Sequence, residues 1–237
     1  DAVGRDLLVS AQTGSGKTVA YGLAMARDLL GDAERFEPAG APLALIVAPT
    51  RELALQVQRE LAWLYEHADG RVVSCVGGMD PRREQRELAQ GAHIVVGTPG
   101  RLCDHLRRGR LDISGLRVVV LDEADEMLDL GFLPDVENLI GRTPASRQTM
   151  LFSATMPAPI MALARSQLRR PVHVRAEGAD TQTTVPDTQQ FVYQAHPLDK
   201  IEIIGRILQA NDVEKVIIFC RTKRACQRLS DDLDDRG

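Results

Sequence analysis

Short runs rich in valine, isoleucine and leucine alternate with longer segments of helical periodicity along most of this chain. The strand-like runs are apolar throughout rather than alternating, which is typical of parallel strands covered on both faces. They lie at 6–10, 43–48, 71–76, 93–97, 118–121 and 149–152. The helical segments lie at 17–30, 52–66, 81–88, 101–107 and 157–168. This repetition of strand and helix predicts an α/β fold with a doubly wound parallel sheet.

The strand–helix rhythm breaks after Leu168 and then resumes. The sequence predicts a short strand at 173–175, a polar stretch without periodicity at 177–188, a strand at 190–194, a helix at 198–209, an apolar strand at 216–220 and a helix-like run at 226–236. We therefore predict a first domain over 1–170, a linker over 171–188 and the start of a second α/β domain over 189–237.

The charge of the chain limits how it could bind nucleic acid. The formal net charge is -4, so the strongly basic surface of a protein that binds nucleic acid by bulk electrostatics is absent. Any such site must be formed locally by a few loops. Trp63 and Tyr65 could stack on bases, but both lie in an amphipathic segment, and packing against the sheet is the favoured interpretation.

The apolar runs and the cysteines of the chain bear on its cellular compartment. No apolar run approaches the roughly 20 residues that a membrane-spanning helix needs, and no signal peptide opens the chain. The four cysteines, Cys75, Cys103, Cys220 and Cys226, form no CxxC pair, and no histidine stands at metal-ligand spacing beside them. Buried free thiols in a reducing compartment are expected, and we predict a cytoplasmic protein without a membrane partner.

A glycine-containing loop follows the first predicted strand and opens the first predicted helix. It consists of Ala11, Gln12, Thr13, Gly14, Ser15, Gly16, Lys17 and Thr18. In such a loop successive backbone N–H groups point at phosphate oxygens, and the helix N-terminus adds a partial positive charge. Lys17 is then expected to reach the β- and γ-phosphates of ATP, and the Thr18 hydroxyl to coordinate Mg²⁺. The alternative is a strand-to-helix turn that binds nothing.

The sequence Asp122-Glu123-Ala124-Asp125 follows directly on the strongly apolar run 118–121, so three carboxylates stand just beyond the predicted strand. A strand that ends in carboxylates presents them at the sheet edge where open α/β folds bind ligands. Asp122 is expected to hold Mg²⁺ opposite Thr18, and Glu123 to orient and polarise the attacking water. An acidic helix N-terminus stabilised by the helix dipole is the alternative.

These two motifs and three others resemble, in their order and spacing, the motifs of the DEAD-box ATP-dependent RNA helicases. The others are Pro49–Ala54 (PTRELA), Thr98–Arg101 (TPGR) and Ser153–Thr155 (SAT). In addition, Val216–Thr222 resembles the strand that begins the second-domain motifs of that family. The resemblance covers essentially the whole chain. It implies a bacterial-type helicase with two RecA-like domains, the second only begun here, which close on ATP and single-stranded RNA.

The resemblance implies a role for each matching residue. Residues 11–18 would bind nucleotide, with Lys17, Asp122 and Glu123 catalytic and with Thr18 and Asp122 at Mg²⁺. Asp125, Ser153 and Thr155 would couple the ATP state to RNA binding. The RNA groove would be lined by Pro49, Thr50, Arg51, Gly77, Gly78, Thr98, Gly100 and Arg101. Contacts to the phosphate backbone do not read RNA sequence, so a choice of target must come from elsewhere.

Several of these residues have simpler interpretations. Arg51 could form a surface ion pair with Glu52 or a nearby carboxylate. Gly77 and Gly78 could form a simple turn. Thr155 lies near the N-terminus of the predicted helix at 157–168, where it could act as a cap, and capping is compatible with coupling.

Other functions use similar motifs. An ATP-gated RNA clamp or scaffold would need the same residues as a helicase. A DNA-directed motor or another P-loop enzyme is disfavoured by the PTREL, DEAD and SAT series. The adenine-reading glutamine motif of the family is expected before Asp1 and its arginine-bearing motifs after Gly237, so we expect the 237-residue chain alone to bind nucleotide weakly and hydrolyse it poorly.

Overall fold

A computed structural model describes residues 4–12, 16–175, 189, 191–196, 199–210 and 215–235. The chain divides into two compact units, Asp1–Asp180 and Thr181–Gly237. Each unit is described by itself. The predicted division of the protein into two domains and a linker stays a prediction.

The first unit contains one parallel sheet. Its strands are β1 (Leu7–Ser10), β2 (Ala44–Val47), β3 (Val72–Cys75), β4 (Ile94–Gly97), β5 (Val118–Leu121), β6 (Gln148–Ser153) and β7 (Val172–Arg175). The strand order is β3-β4-β2-β5-β6-β1-β7, and all neighbouring strands run parallel. The predicted α/β parallel sheet is therefore confirmed. β7 pairs with β1, so residues 172–175 of the predicted linker belong to this sheet.

Two layers of helices cover the sheet. The helices of the first unit are α1 (Lys17–Leu30), α2 (Arg51–Leu64), α3 (Pro81–Ala89), α4 (Pro99–Arg107), α5 (Ala124–Asp129), α6 (Leu133–Ile140) and α7 (Ala158–Gln167), with a short 3-10 turn at Glu66–Ala68. Two of these, α5 and α6, were not predicted, because at six and eight residues they are too short for a clear helical period. No described helix is long and apolar enough to cross a membrane.

The continuous apolar runs reflect burial on both faces of the sheet. In β2, Leu45 and Val47 join a core with Leu102 of α4, while Ala44 and Ile46 join a second core with Met25 of α1. Successive side chains of a strand point to opposite faces, so a strand between two helical layers must be apolar at every position. This is the physical reason that the strand positions could be predicted from the sequence.

The strand register brings the carboxyl ends of the strands to one edge. Ser10 of β1 lies beside Ser153 of β6, and Val47 of β2 lies beside Leu121 of β5 and Gly97 of β4. Residues that follow these strands therefore gather at the same edge, although they are far apart in sequence.

The prediction that Trp63 of α2 and Tyr65, which follows α2, both pack against the sheet is half wrong. Tyr65 is buried and its hydroxyl donates a hydrogen bond to the carbonyl oxygen of Gly22, but Trp63 is 66% exposed. The buried face of α2 passes through Val57 and Leu61 and continues to Tyr65. Trp63 is two positions from Leu61, about 200° around a helix of 3.6 residues per turn, and so it faces away from the sheet.

In the second unit the helices formed as predicted but the strands did not. Its helices are α8 (Lys200–Leu208) and α9 (Lys223–Asp234), and residues 198 and 236 of the predicted segments lie outside the described residues. No strand is present at 191–194 or at 216–220, and residue 190 is not described. Val192 is 98% and Phe219 91% exposed. Because a strand is stabilised by pairing and by burial of its side chains, apolar sequence alone does not produce one.

One glycine shows how tightly α4 packs against the sheet. A Cβ at Gly97 would lie 2.4 Å from the carbonyl oxygen of Cys75 and 2.7 Å from Cδ2 of Leu102. We therefore expect Gly97→Ala to lower the free energy of unfolding by about 1–3 kcal/mol, as overpacking of a core does. Equilibrium denaturation would measure this against Gly115→Ala, where no described atom lies within 4 Å of the added Cβ. Equal midpoints for the two variants would contradict the prediction.

Candidate functional site

The phosphate loop connects the end of β1 to the start of α1. Gly16 precedes the helix with φ of 77°, a left-handed conformation that glycine adopts without strain. Ala11 lies directly beyond the strand and donates its backbone N–H to the carbonyl oxygen of Ser153 at 3.2 Å. Lys17 and Thr18 are buried in the first turn of α1. Thr13, Gly14 and Ser15 lie outside the described residues.

Lys17 meets the two carboxylates that follow β5. Its Nζ atom lies 3.4 Å from Oδ1 of Asp122 and 3.4 Å from Oε1 of Glu123. Both carboxylates are buried, and Asp122 also accepts a hydrogen bond from the hydroxyl of Tyr21 at 3.4 Å. Lys17 and Glu123 are 106 residues apart in sequence, and the two motifs that carry them thus form one cluster of charges.

The conformation of Glu123 departs from that of an ordinary strand or helix residue. Its φ and ψ are 54° and 56°, in the left-handed region, just before α5 begins at Ala124. A residue other than glycine in this region is uncommon and costs on the order of 1–3 kcal/mol. Such strain is frequent where a side chain must be directed into a functional site.

The surroundings of Asp122 suit a divalent cation. Burial raises the pKa of this carboxyl, and the nearby ammonium of Lys17 opposes the rise. The 3.4 Å approach of Lys17 to Oδ1 is an ion-pair distance, and this buried oxygen accepts no hydrogen bond from the described residues. A buried carboxylate oxygen that accepts no hydrogen bond offers the kind of hard oxygen donor that Mg²⁺ prefers.

Glu123 has a second acidic neighbour that the sequence analysis did not include. A hydrogen bond with Glu123, together with burial and the nearby carboxylates, raises the pKa of Glu126 from 4.5 to about 7. Two carboxylates this close favour the protonated form of one of them. A spacing of three residues across the first turn of a helix is the sequence signal that could have indicated this pair.

Asp125 joins the acidic strand end to the SAT motif. Its Oδ2 atom accepts hydrogen bonds from the backbone N–H and the hydroxyl of Thr155, both at 2.9 Å. The Ser153 hydroxyl accepts from the backbone N–H of Asp125 at 3.1 Å and donates to the carbonyl oxygen of Thr155 at 2.7 Å. Burial alone would raise the pKa of Asp125, but the hydrogen bonds from Thr155 prevail and lower it. These contacts join the two motifs by direct hydrogen bonds.

The residues predicted to line a groove follow β2, β3 and β4. Thr50 caps α2 by accepting the backbone N–H of Leu53 at 3.3 Å, and Arg51 is exposed. Gly77 donates its N–H to the Thr98 hydroxyl at 3.4 Å. Gly78, with φ of 78°, lies against Arg51, whose Nη1 atom is 3.2 Å from where a Cβ at Gly78 would be.

The remaining groove residues fit the same edge of the sheet. Pro49 is buried directly after β2, and Gly100 is exposed in the first turn of α4. The alternative interpretation of Arg51 gains no support, since no ion pair joins it to Glu52 or to another carboxylate among the described residues. Apart from Arg101, the predicted groove residues lie in the segments that follow β3, β4 and β2, three neighbouring strands of the sheet.

Arg101 differs from the other groove residues because its guanidinium is directed inward. Nη1 forms an ion pair with Oε2 of Glu84 at 2.9 Å, and Nη2 donates to the carbonyl oxygen of Met79 at 3.2 Å. Glu84 also accepts from Nε2 of His105 at 2.6 Å. Sequence analysis missed Glu84 and His105, which belong to no motif and become neighbours only through the pairing of β3 with β4.

All four cysteines are free thiols. Cys75 and Cys103 are buried as expected, but Cys220 is half-buried and Cys226 is exposed, so the prediction of buried thiols is wrong for these two. Cys75 nevertheless lies near Glu84 and His105, with potential ligand atoms of all three within 4.8 Å of one another. Burial, followed by the charge of Glu84, raises the pKa of the Cys75 thiol well above its usual range. A thiol that resists deprotonation, next to a carboxylate already paired with Arg101, is unfavourable for a metal ion.

The parallel sheet, the strand-to-helix phosphate loop and the carboxylates at the next strand end define a P-loop protein of the RecA-like α/β type. Comparison with known families is more specific. Residues 2–163 match the DEAD/DEAH box helicase family, and the chain belongs to this family. The resemblance seen in the sequence motifs is thereby confirmed.

Curated relatives and solved structures agree with this assignment. The chain is 40% identical over 233 residues to the DEAD-box ATP-dependent RNA helicase CshA of Bacillus licheniformis, covering 98% of this chain and 46% of that protein. It is 45% identical over 235 residues to the ATP-dependent RNA helicase DeaD of Klebsiella pneumoniae, covering 99% of this chain and 35% of that protein. The chain thus spans less than half the length of these two relatives.

Among solved structures, a DEAD box protein from the hyperthermophile Methanococcus jannaschii superposes with a TM-score of 0.67 at 32% identity, covering 98% of this chain and 60% of that chain. A hypothetical ATP-dependent RNA helicase from Sulfolobus tokodaii gives a TM-score of 0.65 at 33% identity, covering 73% of this chain and 48% of that chain. The RecA-like α/β fold of the first unit is that of the family.

Proposed function

We propose that the full-length protein carrying this chain is an ATP-dependent RNA helicase. It would bind ATP, Mg²⁺ and single-stranded RNA, and use hydrolysis to separate short duplexes or remodel RNA–protein complexes. One arrangement carries the proposal: Lys17 lies 3.4 Å from both Asp122 and Glu123, at the edge of the sheet where the groove residues also gather. Family membership and the names of the relatives support it.

Each residue of the charge cluster has a distinct part in the proposed hydrolysis. Lys17 leaves its carboxylate partners to bind the β- and γ-phosphates, and the loop 11–18 surrounds the phosphates with backbone N–H groups. Thr18 and Asp122 would hold Mg²⁺, which neutralises phosphate charge when bound. Glu123 orients the attacking water and accepts its proton, and its hydrogen bond with Glu126 keeps the side chain in position.

RNA would be held through its phosphate backbone by the loops that follow β2, β3 and β4. The helices that begin at Arg51 and Pro99 supply the free backbone N–H groups of their first turns, and the exposed Arg51 supplies a cation. These contacts do not depend on the bases, so the RNA target would be chosen elsewhere. We retain the two-domain organisation and a cytoplasmic location as parts of this proposal, with the predicted linker beginning after Arg175, where β7 ends.

The hydrogen bonds between Asp125 and Thr155 provide a route for coupling. Thr155→Val removes the hydroxyl that donates to Asp125 at 2.9 Å while preserving side-chain shape. A hydrogen bond to a charged group contributes about 1.5–3 kcal/mol, so we expect RNA-stimulated turnover to fall by about tenfold or more. ATP affinity should stay within about twofold, because Thr155 has no predicted contact with nucleotide.

The matched control for this prediction is Thr155→Ser, which keeps the hydroxyl and should retain the stimulation. Steady-state ATPase assays at increasing RNA concentration would compare both variants with the wild type. Equal stimulation in Thr155→Val and Thr155→Ser would contradict the proposed coupling role.

An ATP-gated RNA clamp is the second candidate, since ATP and RNA binding would need the same residues. Strand displacement by the full-length protein on a short RNA duplex with a single-stranded overhang separates the two. ATP-dependent displacement supports the helicase, whereas ATP-dependent RNA retention without displacement supports the clamp. Competition between RNA and DNA for ATPase stimulation would show whether the motor acts on RNA.

A further inference from the structure

We propose that Glu84 is a positioning residue for RNA binding: its buried carboxylate holds the loop after β3 and the start of α4 in the relative arrangement that RNA requires. The inference rests on the proposed RNA-binding function and assigns a part of it to a residue outside every recognised motif. Glu84 lies on α3 and is 4% exposed, so it cannot contact RNA itself.

Glu84 links three separate segments of the fold. Its Oε1 atom accepts the backbone N–H of Val76 at 2.8 Å, directly before the Gly77–Gly78 pair. Its Oε2 atom accepts from Arg101 at 2.9 Å and from His105 at 2.6 Å, on the first and second turns of α4. One carboxylate on α3 therefore ties the loop that carries the two glycines to the helix that begins at the TPGR motif.

Arg101 extends the same connection. Its second nitrogen donates to the carbonyl oxygen of Met79 at 3.2 Å, on the far side of the glycine pair from Val76. The loop is thus held before and after Gly77–Gly78. The hydrogen bond from Gly77 to the Thr98 hydroxyl, at 3.4 Å, joins the same loop to the residue that precedes α4. Two of the three loops proposed to contact RNA phosphates, those after β3 and β4, are therefore held by contacts that converge on Glu84.

The contacts around Glu84 require a carboxylate. Its described hydrogen-bond partners are all donors: a backbone N–H, a guanidinium and an imidazole N–H. His105 contacts Oε2 through Nε2, which must donate to a carboxylate, and its Nδ1 has no hydrogen-bond partner among the described residues. Two oxygens that only accept can serve all three donors, whereas an amide must point its NH₂ group at one of them. Glutamine has the same size but would therefore lose either the contact with Val76 or the contacts with Arg101 and His105.

This role accounts for the inward direction of Arg101 better than direct RNA contact does. Its side chain is 14% exposed and is held by two acceptors on neighbouring segments. Buried ion pairs with additional hydrogen bonds fix geometry more than they add stability. A rigid arrangement of N–H groups is what a phosphate-binding edge needs, because a groove that must be ordered on binding loses affinity.

The test compares Glu84→Gln with Glu87→Gln in the full-length protein. Glu87 lies on the same helix, but its carboxylate is half-buried and forms an ion pair at 3.0 Å with the exposed Arg83, so it controls for the loss of one charge. ATPase rates are measured over a range of single-stranded RNA concentrations, together with ATP affinity and the midpoint of thermal unfolding. We expect Glu84→Gln to raise the RNA concentration for half-maximal stimulation by about tenfold or more, as loss of one buried charged contact does.

Turnover without RNA and ATP affinity should stay within about twofold in Glu84→Gln, and Glu87→Gln should behave as the wild type. A folded Glu84→Gln variant with wild-type RNA half-saturation would overturn the inference, and so would a lowered unfolding midpoint with unchanged half-saturation. If Glu84→Gln does not fold, Glu84→Asp is decisive, because it keeps both acceptors but withdraws them by one carbon: a raised half-saturation supports the role and a wild-type value overturns it. Absence of RNA stimulation in the wild type would instead refute the proposed function itself.

Discussion

Glu123→Gln is expected to lower RNA-stimulated ATP turnover by about 100-fold or more while ATP still binds. Glutamine keeps the size of the side chain and can still orient a water, but it cannot accept the proton of that water. A positioned general base contributes about 10²–10⁴-fold to rate. Because phosphate binding is assigned to Lys17 and the loop 11–18, ATP affinity should change little, and the variant should accumulate in the ATP-bound state.

The measurement is a single-turnover hydrolysis assay beside a direct nucleotide-binding assay. Asp129→Asn is the matched control, since Asp129 is an exposed carboxylate at the end of the same helix, α5. Its turnover should equal that of the wild type. Retention of more than about a tenth of the wild-type rate in Glu123→Gln would show that another group activates the water.

Lys17→Ala has the second largest expected effect, on nucleotide affinity. The ammonium is the cation that faces Asp122 and Glu123 at 3.4 Å among the described residues, and it would transfer to the phosphates of ATP. Without it the phosphates would approach two buried carboxylates with less compensating charge. Loss of one partner from a buried charged contact costs about 2–5 kcal/mol, so ATP affinity should fall by at least about 30-fold.

Arg27→Ala controls for the loss of a cation on the same helix, because Arg27 is exposed near the end of α1. Binding of a fluorescent ATP analogue, measured by titration of each variant, would compare the two. Unchanged affinity in Lys17→Ala would mean that the loop does not bind nucleotide in the proposed way. An affinity loss in Arg27→Ala of the same size would indicate a general electrostatic effect instead.

The sequence predicted the first unit well because its physical constraints are local and repeated. A parallel strand between two helical layers is apolar at every position, and this made β2, β4 and β5 visible as uninterrupted runs. The phosphate loop and the carboxylates of Asp122 and Glu123 were predictable for a related reason. Each follows a strand, and parallel strands bring their carboxyl ends to one edge.

The predictions were wrong where the structure or burial of a segment depends on its neighbours in the fold, which the local sequence does not specify. Val216–Cys220 has the composition of a strand, but β-structure also requires a paired neighbour and a covered face. Trp63 was misplaced because the segment was judged amphipathic as a whole, without following its apolar face from Leu61 to Tyr65. Both errors concern which partner a residue finds rather than which conformation it prefers.

The cluster around Glu84 shows that, within the site as well, local sequence does not predict which distant residues come into contact. Arg101 was predicted from its motif to face RNA, but its guanidinium binds a carboxylate 17 residues away. No motif connects the two residues, and only the pairing of β3 with β4 brings α3 and α4 together. Glu126 was likewise missed, because its spacing of three residues from Glu123 indicates a pair only once a helix is known to begin at Ala124.

The most direct test of the proposed function is the ATPase rate of the full-length protein with and without single-stranded RNA. The account predicts slow turnover without RNA and a clear rise that saturates as RNA is added, with single-stranded DNA a much weaker stimulator. A rate that does not respond to RNA would contradict the central claim, because the coupling through Asp125, Ser153 and Thr155 would then have no RNA signal to transmit.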